Sequence, residues 1–162
     1  MTRFSRRLPL ALSVFALVAL PACDSADGGS GNGVCGTSAV GTFTATLPGG
    51  TFTAKCVTGS FSSGVLSVGG NLGASQAGAQ EQITLALPGA AVGKTIALGM
   101  GATATYAKVS GTDLSGTYAA TSGTATVTAV SATAAKGTFA FTGRNNAGQT
   151  VQITGGSFDV TF

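Results

Sequence analysis

The chain has 162 residues, of which 26 are glycine, 8% are charged and none is histidine or tryptophan. That length makes one domain, and the lack of histidine excludes an imidazole base, a Ser-His dyad and the commonest metal ligand. The formal +3 belongs to Arg3, Arg6 and Arg7. Beyond Cys23, Lys55, Lys94, Lys108, Lys136 and Arg144 balance Asp24, Asp27, Glu81, Asp113 and Asp159, so no basic patch is left for phosphates and nucleic-acid binding is not expected.

Residues 1–22 read as a signal peptide. A basic start is followed by an almost wholly apolar run, residues 8–22, with small residues near its end. A membrane-spanning helix needs about 20 apolar residues, and this run is shorter, with Pro9 and Pro21 near its ends. Leu20-Pro21-Ala22-Cys23 resembles the lipobox of bacterial lipoproteins, in which a small residue precedes a cysteine that takes a diacylglyceryl group and becomes the first residue of the mature chain. Acylated Cys23 would then tie the protein to a lipid bilayer, since two or more acyl chains anchor stably where one does not.

Residues 23–36 carry that cysteine and a tether. Its core, DSADGGSGNGV, has almost nothing to bury, and a flexible segment of that length reaches roughly 18 Å. Gly31-Asn32-Gly33-Val34-Cys35-Gly36 fits a dinucleotide-binding glycine pattern but follows no strand and opens no helix. Outside the cytoplasm, Cys35 and Cys56 are expected to form a disulfide. The loop between them would give about 3 kcal/mol in the chain-entropy model.

Residues 37–162 form the domain. Apolar residues recur with period two, which predicts strands. Phe43, Ala45 and Leu47 share a face. After the turn Pro48-Gly49-Gly50 come Phe52, Ala54 and Cys56, then Leu66 and Val68, then Ile83, Leu85 and Leu87, then Ile96 and Leu98, with Tyr106 on a further run. Thr124–Val130 alternates. Phe139 and Phe141 lead through Asn145-Asn146-Ala147-Gly148 to Val151 and Ile153, and the chain closes on Phe158, Val160 and Phe162. Threonine, serine and small residues fill the opposite positions, which suits an uncharged solvent face. The expected fold is all-β: one antiparallel sandwich or flattened barrel of about eight or nine strands, mostly short.

One stretch tests for a nucleotide. LPGAAVGKTIAL, residues 87–98, holds Gly93-Lys94-Thr95. A phosphate-binding loop would need glycine where Pro88 stands, and a helix after Thr95. Pro88 has no amide hydrogen, and Thr95–Leu98 reads as strand. The expectation is a hairpin connection with Lys94 a solvated charge, and no nucleotide.

Catalysis is poorly supplied. Glu81, Asp113 and Asp159 are the domain's only acids, and each reads as a surface charge: Glu81 between Gln80 and Gln82, Asp113 in a turn, Asp159 pointing away from the core between Phe158 and Val160. No catalytic residue, metal ligand set or cofactor site is assigned, and the protein is read as a non-enzyme.

Gly137-Thr138-Phe139-Ala140-Phe141-Thr142, Asn146-Ala147-Gly148-Gln149-Thr150-Val151 and Ile153-Thr154-Gly155-Gly156-Ser157-Phe158-Asp159 resemble the closing hairpin of a family of small β-rich bacterial lipoproteins known as a domain of unknown function. Phe52-Thr53-Ala54 and Ile83-Thr84-Leu85 are similar to its opening strands. The resemblance covers about residues 40–162 and is strong over 137–162. It implies the fold and the lipoprotein class and carries over no functional residue. The expected role is an envelope-anchored binding module, in the outer membrane or at the cell surface ahead of the inner membrane, whose partner is a glycan or an envelope protein. One alternative is a structural or assembly subunit that pairs through an edge strand. Another is a small outer-membrane barrel, suggested by the terminal Phe162.

Overall fold

Among the described residues the alternating runs become ten strands: β1 (Val40–Leu47), β2 (Gly50–Thr53), β3 (Cys56–Ser62), β4 (Val65–Asn71), β5 (Ala79–Pro88), β6 (Thr95–Ala97), β7 (Thr103–Ser110), β8 (Thr117–Val130), β9 (Ala134–Arg144) and β10 (Thr150–Thr161). The computed structural model describes residues 39–72, 79–110 and 116–162. Cys23, the tether, Cys35 and Asp113 therefore lie outside the described residues. No helix occurs among those described.

All pairings are antiparallel, in the order β2-β1-β10-β9-β8-β7-β5-β4-β3, with β6 beside β8. The strands form one sheet, curled into a half-barrel. The curl follows from connectivity. The two ends of the order, β2 and β3, are joined only by Ala54 and Lys55, so the opposite edges must meet. Ala39 bridges Val57 across that seam, and the Ala54 amide donates to the Phe43 carbonyl at 2.9 Å.

The inner face holds the core. Phe43, Phe52, Phe139, Phe141 and Phe158 are buried there with Leu66, Ile83, Leu87, Val127 and Ile153. Phe43 packs edge-on to Phe52 at 6.2 Å and tilted against Phe139 at 5.2 Å. Each such side chain contributes on the order of 1.5–3 kcal/mol of burial. The outer face of β10 carries Gln152, Thr154 and Asp159, all exposed. Hydroxyls align across strands, as in Thr95–Thr126 at 3.0 Å and Thr44–Ser157 at 2.9 Å.

Two expectations are corrected. Several strands are long: β8, β9 and β10 have 14, 11 and 12 residues. Glycines within them are absorbed as bulges. In β10 the register shifts between Ile153 and Gly156, with Gly155 at φ 55°, so the buried row passes from Val151 and Ile153 to Phe158 and Val160 without ending the strand. The Pro88–Gly93 segment is also no hairpin between neighbours. β5 pairs with β7, whereas β6 lies along β8. Gly93 N–H donates to the Val127 carbonyl at 2.8 Å, which ties the segment to β8.

Candidate functional site

Antiparallel order gathers the ends of β1, β4, β7 and β9 and the starts of β2, β3, β5, β8 and β10 at one end of the sheet. A pocket of about 520 Å³ opens there, inside the size range of small-molecule sites. The β1–β2 turn, Pro48 to Gly50, forms one wall and Val151 another. Facing them are Glu81 from β5, Tyr106 and Lys108 from β7, and Tyr118 from β8.

Register explains this grouping. Tyr106 pairs with Tyr118 on one side and with Ile83 on the other, and Lys108 pairs with Glu81. The two tyrosine rings stack with centroids 5.9 Å apart and 27° between planes. Glu81 sits diagonally from Tyr106, within reach of a long aromatic side chain, and the Tyr106 hydroxyl donates to Glu81 Oε1 at 2.6 Å. Burial above all, then the hydrogen bond to Glu81 and that carboxylate's charge, push the Tyr106 phenol well above the ordinary tyrosine range. Tyr106 is buried, while Tyr118 is half-buried and Lys108 exposed. The result is an aromatic wall with an acceptor and a donor at its mouth.

Glu81 is thus a correction: a half-buried, hydrogen-bonded pocket residue, not a solvated charge. The sequence held the signal. Glu81 stands two before Ile83, in the same period-two row as Leu85 and Leu87, and Lys108 stands two after Tyr106. Charges on an inward row mark where the inner face turns polar. The chain's only two tyrosines also mark the place, but nothing local shows that β7 and β8 set them side by side.

Asp159, Lys94 and Cys56 are not part of this pocket. Asp159 is exposed on the outer face, its Oδ2 2.7 Å from Lys136 Nζ. Lys94 is exposed and donates to the Gly89 carbonyl at 2.8 Å; strand β6 follows it where a phosphate-binding loop would need a helix. Cys56, at the head of β3, is 4% exposed. Among the described residues, no three His, Cys, Asp or Glu side chains stand close enough to hold a metal ion.

No curated protein matches the chain, and no solved structure does. A family model, Domain of unknown function (DUF6252), matches residues 40–160, the sheet from the first residue of β1 almost to the end of β10, and the chain belongs to that family.

Proposed function

We propose that the protein is an envelope-anchored, non-catalytic binding module whose ligand enters the pocket at the Tyr106–Tyr118 end of the half-barrel. One observation carries this reading: a stacked tyrosine pair and a hydrogen-bonded carboxylate line an open pocket of about 520 Å³. Buried apolar walls with a few convergent polar groups are the usual make-up of such a site. The lipid on Cys23, the Cys35–Cys56 bridge and an outer-membrane or surface location belong to the same proposal. They rest on the basic, apolar leader, on Leu20-Pro21-Ala22-Cys23 and on the two cysteines.

The sheet's polarity supports a domain outside the bilayer. A membrane barrel turns its apolar face to lipid and its polar face inward, whereas here Phe, Leu and Ile point inward and Thr and Gln outward. The strand-pairing alternative has little free edge to use. The start of β3 is bridged at Val57 by Ala39, and Gly59 of β3 packs under the Phe162 ring.

Two measurements test the proposal. Mass spectrometry of the processed protein should find a diacylglyceryl group on Cys23; an unmodified thiol there would remove the anchor. A chemically diverse fragment library, read by two-dimensional NMR, should shift amides clustered at Thr51, Glu81, Tyr106 and Tyr118. Scattered shifts, or concentration-dependent oligomers without pocket shifts, would favour the assembly reading.

A further inference from the structure

We infer that the pocket takes an uncharged saccharide, an inference that rests on the binding-module reading above. Three features of the site converge on that class.

The first is the ring. Tyr118 is half-buried and lines the pocket, backed by buried Tyr106 at 5.9 Å in a nearly parallel stack. A ring held from behind offers a flat face of negative quadrupole. The C–H face of a sugar ring is a flat, weakly positive partner for it, and a pyranose is wide enough to cover it.

The second is the arrangement of polar groups. Glu81 Oε1 already accepts from Tyr106, but a carboxylate has about four acceptor sites. Glu81 therefore keeps capacity for ligand hydroxyls, in a direction fixed by the Tyr106 bond. Lys108, opposite it in the ladder, supplies donors. Thr51 and Thr150 add hydroxyls to the lining. Acceptors and donors side by side suit a ligand that is itself both, as every sugar hydroxyl is.

The third is charge balance. Among the described residues, Glu81 and Lys108 are the two charged side chains in the lining, and they cancel. A cation would gain from Glu81 and lose to Lys108, and an anion the reverse. A purely apolar ligand would strip water from both without replacing its hydrogen bonds. A neutral polyol uses both groups and meets neither penalty.

The chain has two tyrosines and no tryptophan, so its tyrosine emission arises from the pocket alone. The experiment uses the processed full chain in a detergent with no sugar headgroup. Maltotriose, cellotriose, chitotriose and xylotriose are titrated at millimolar concentration, beside tetramethylammonium chloride and sodium hexanoate. The expected result is a saturable emission change with at least one trisaccharide, weakened roughly tenfold in Glu81→Gln, since a neutral acceptor replaces a charge-assisted one. Lys108→Gln should weaken it as well and keep the melting behaviour of the parent, whereas Glu81→Gln keeps an acceptor for Tyr106 and should stay folded with at most a small loss of stability. If no trisaccharide changes the emission, the saccharide assignment is overturned. It is equally overturned if both variants respond as strongly as the parent. Saturation by tetramethylammonium or hexanoate alone, or fragments clustering in the pocket while sugars fail, would sink the ligand class and leave the binding-module reading standing. Fragments that avoid the pocket would sink both.

Discussion

A phenol that is buried and bonded to a carboxylate is hard to ionise, and Tyr106 is both. Its folded-state pKa is raised from the ordinary 10.0, so the neutral form is the one the fold favours. The linkage has one direction. The unfolded chain gives up this proton more readily, so the contribution to stability is complete below about pH 10 and declines as pH rises from there. Denaturation midpoints should therefore fall as pH is raised above about 10, and fall less in Tyr106→Phe. Equal declines in the two proteins would show that the Tyr106 environment is not the cause. The exposed pair Lys136–Asp159 has the opposite character. Both side chains are more than half exposed, 55% and 59%, so the bond is screened by solvent and adds little.

At the scale of the strand, the bulge in β10 sets the phase of everything after it. Because side chains alternate, one extra residue moves the whole following row to the other face. The Ile153–Gly156 bulge is what lets Ile153 and Phe158 both point inward. Gly156 serves a second purpose by lying beneath a ring: a Cβ there would stand 2.5 Å from the Phe139 ring. Gly156→Ala should thus force the ring or the strand aside and cost about 1–3 kcal/mol, read as a lower urea midpoint with an unchanged slope. A midpoint equal to that of the parent would mean the Phe139 ring has room to move. The next turn is fixed differently. Asn145 is buried, its Oδ1 accepts from the Gln149 amide at 2.8 Å and its Nδ2 donates to Gln149 Oε1 at 2.8 Å. That side chain, rather than turn glycine alone, holds β9 against β10.

For the whole molecule, the weak point is the seam. β2 and β3 belong to opposite edges of the sheet, and the chain crosses between them in two residues, immediately before Cys56. A Cys35–Cys56 bridge would tie the tether's end to this junction. If it forms, reductant should lower the parent's stability by about 3 kcal/mol and leave Cys56→Ser unchanged, as measured by denaturation with and without reductant. A parent insensitive to reductant would show that the cysteines do not cross-link. The same seam brings the β1–β2 turn round to face β5, β7 and β8, which makes the pocket a product of closure: no single hairpin contains it.

Much of this was legible in the residues. Period-two rows named nearly every inward side chain, from Phe43 and Ala45 to Phe158 and Val160, because a strand with one buried face writes its orientation into alternate positions. The turn at Asn145–Gly148 and the strand that follows Lys94 were readable from local residue pattern as well. Strand lengths were not, since a glycine in sequence looks the same whether it ends a strand or bulges within one. Pairing order was also hidden: which strand lies beside which is decided by how the apolar faces can all be covered at once. That non-local choice set β7 between β5 and β8, and so placed Tyr106 against Glu81 and Tyr118. The sequence by itself determined the class of structure and the inward face of nearly every core residue. Only the pairing order of the strands determined that Glu81, Tyr106 and Tyr118 meet, because contacts across strands depend on a register no single strand contains.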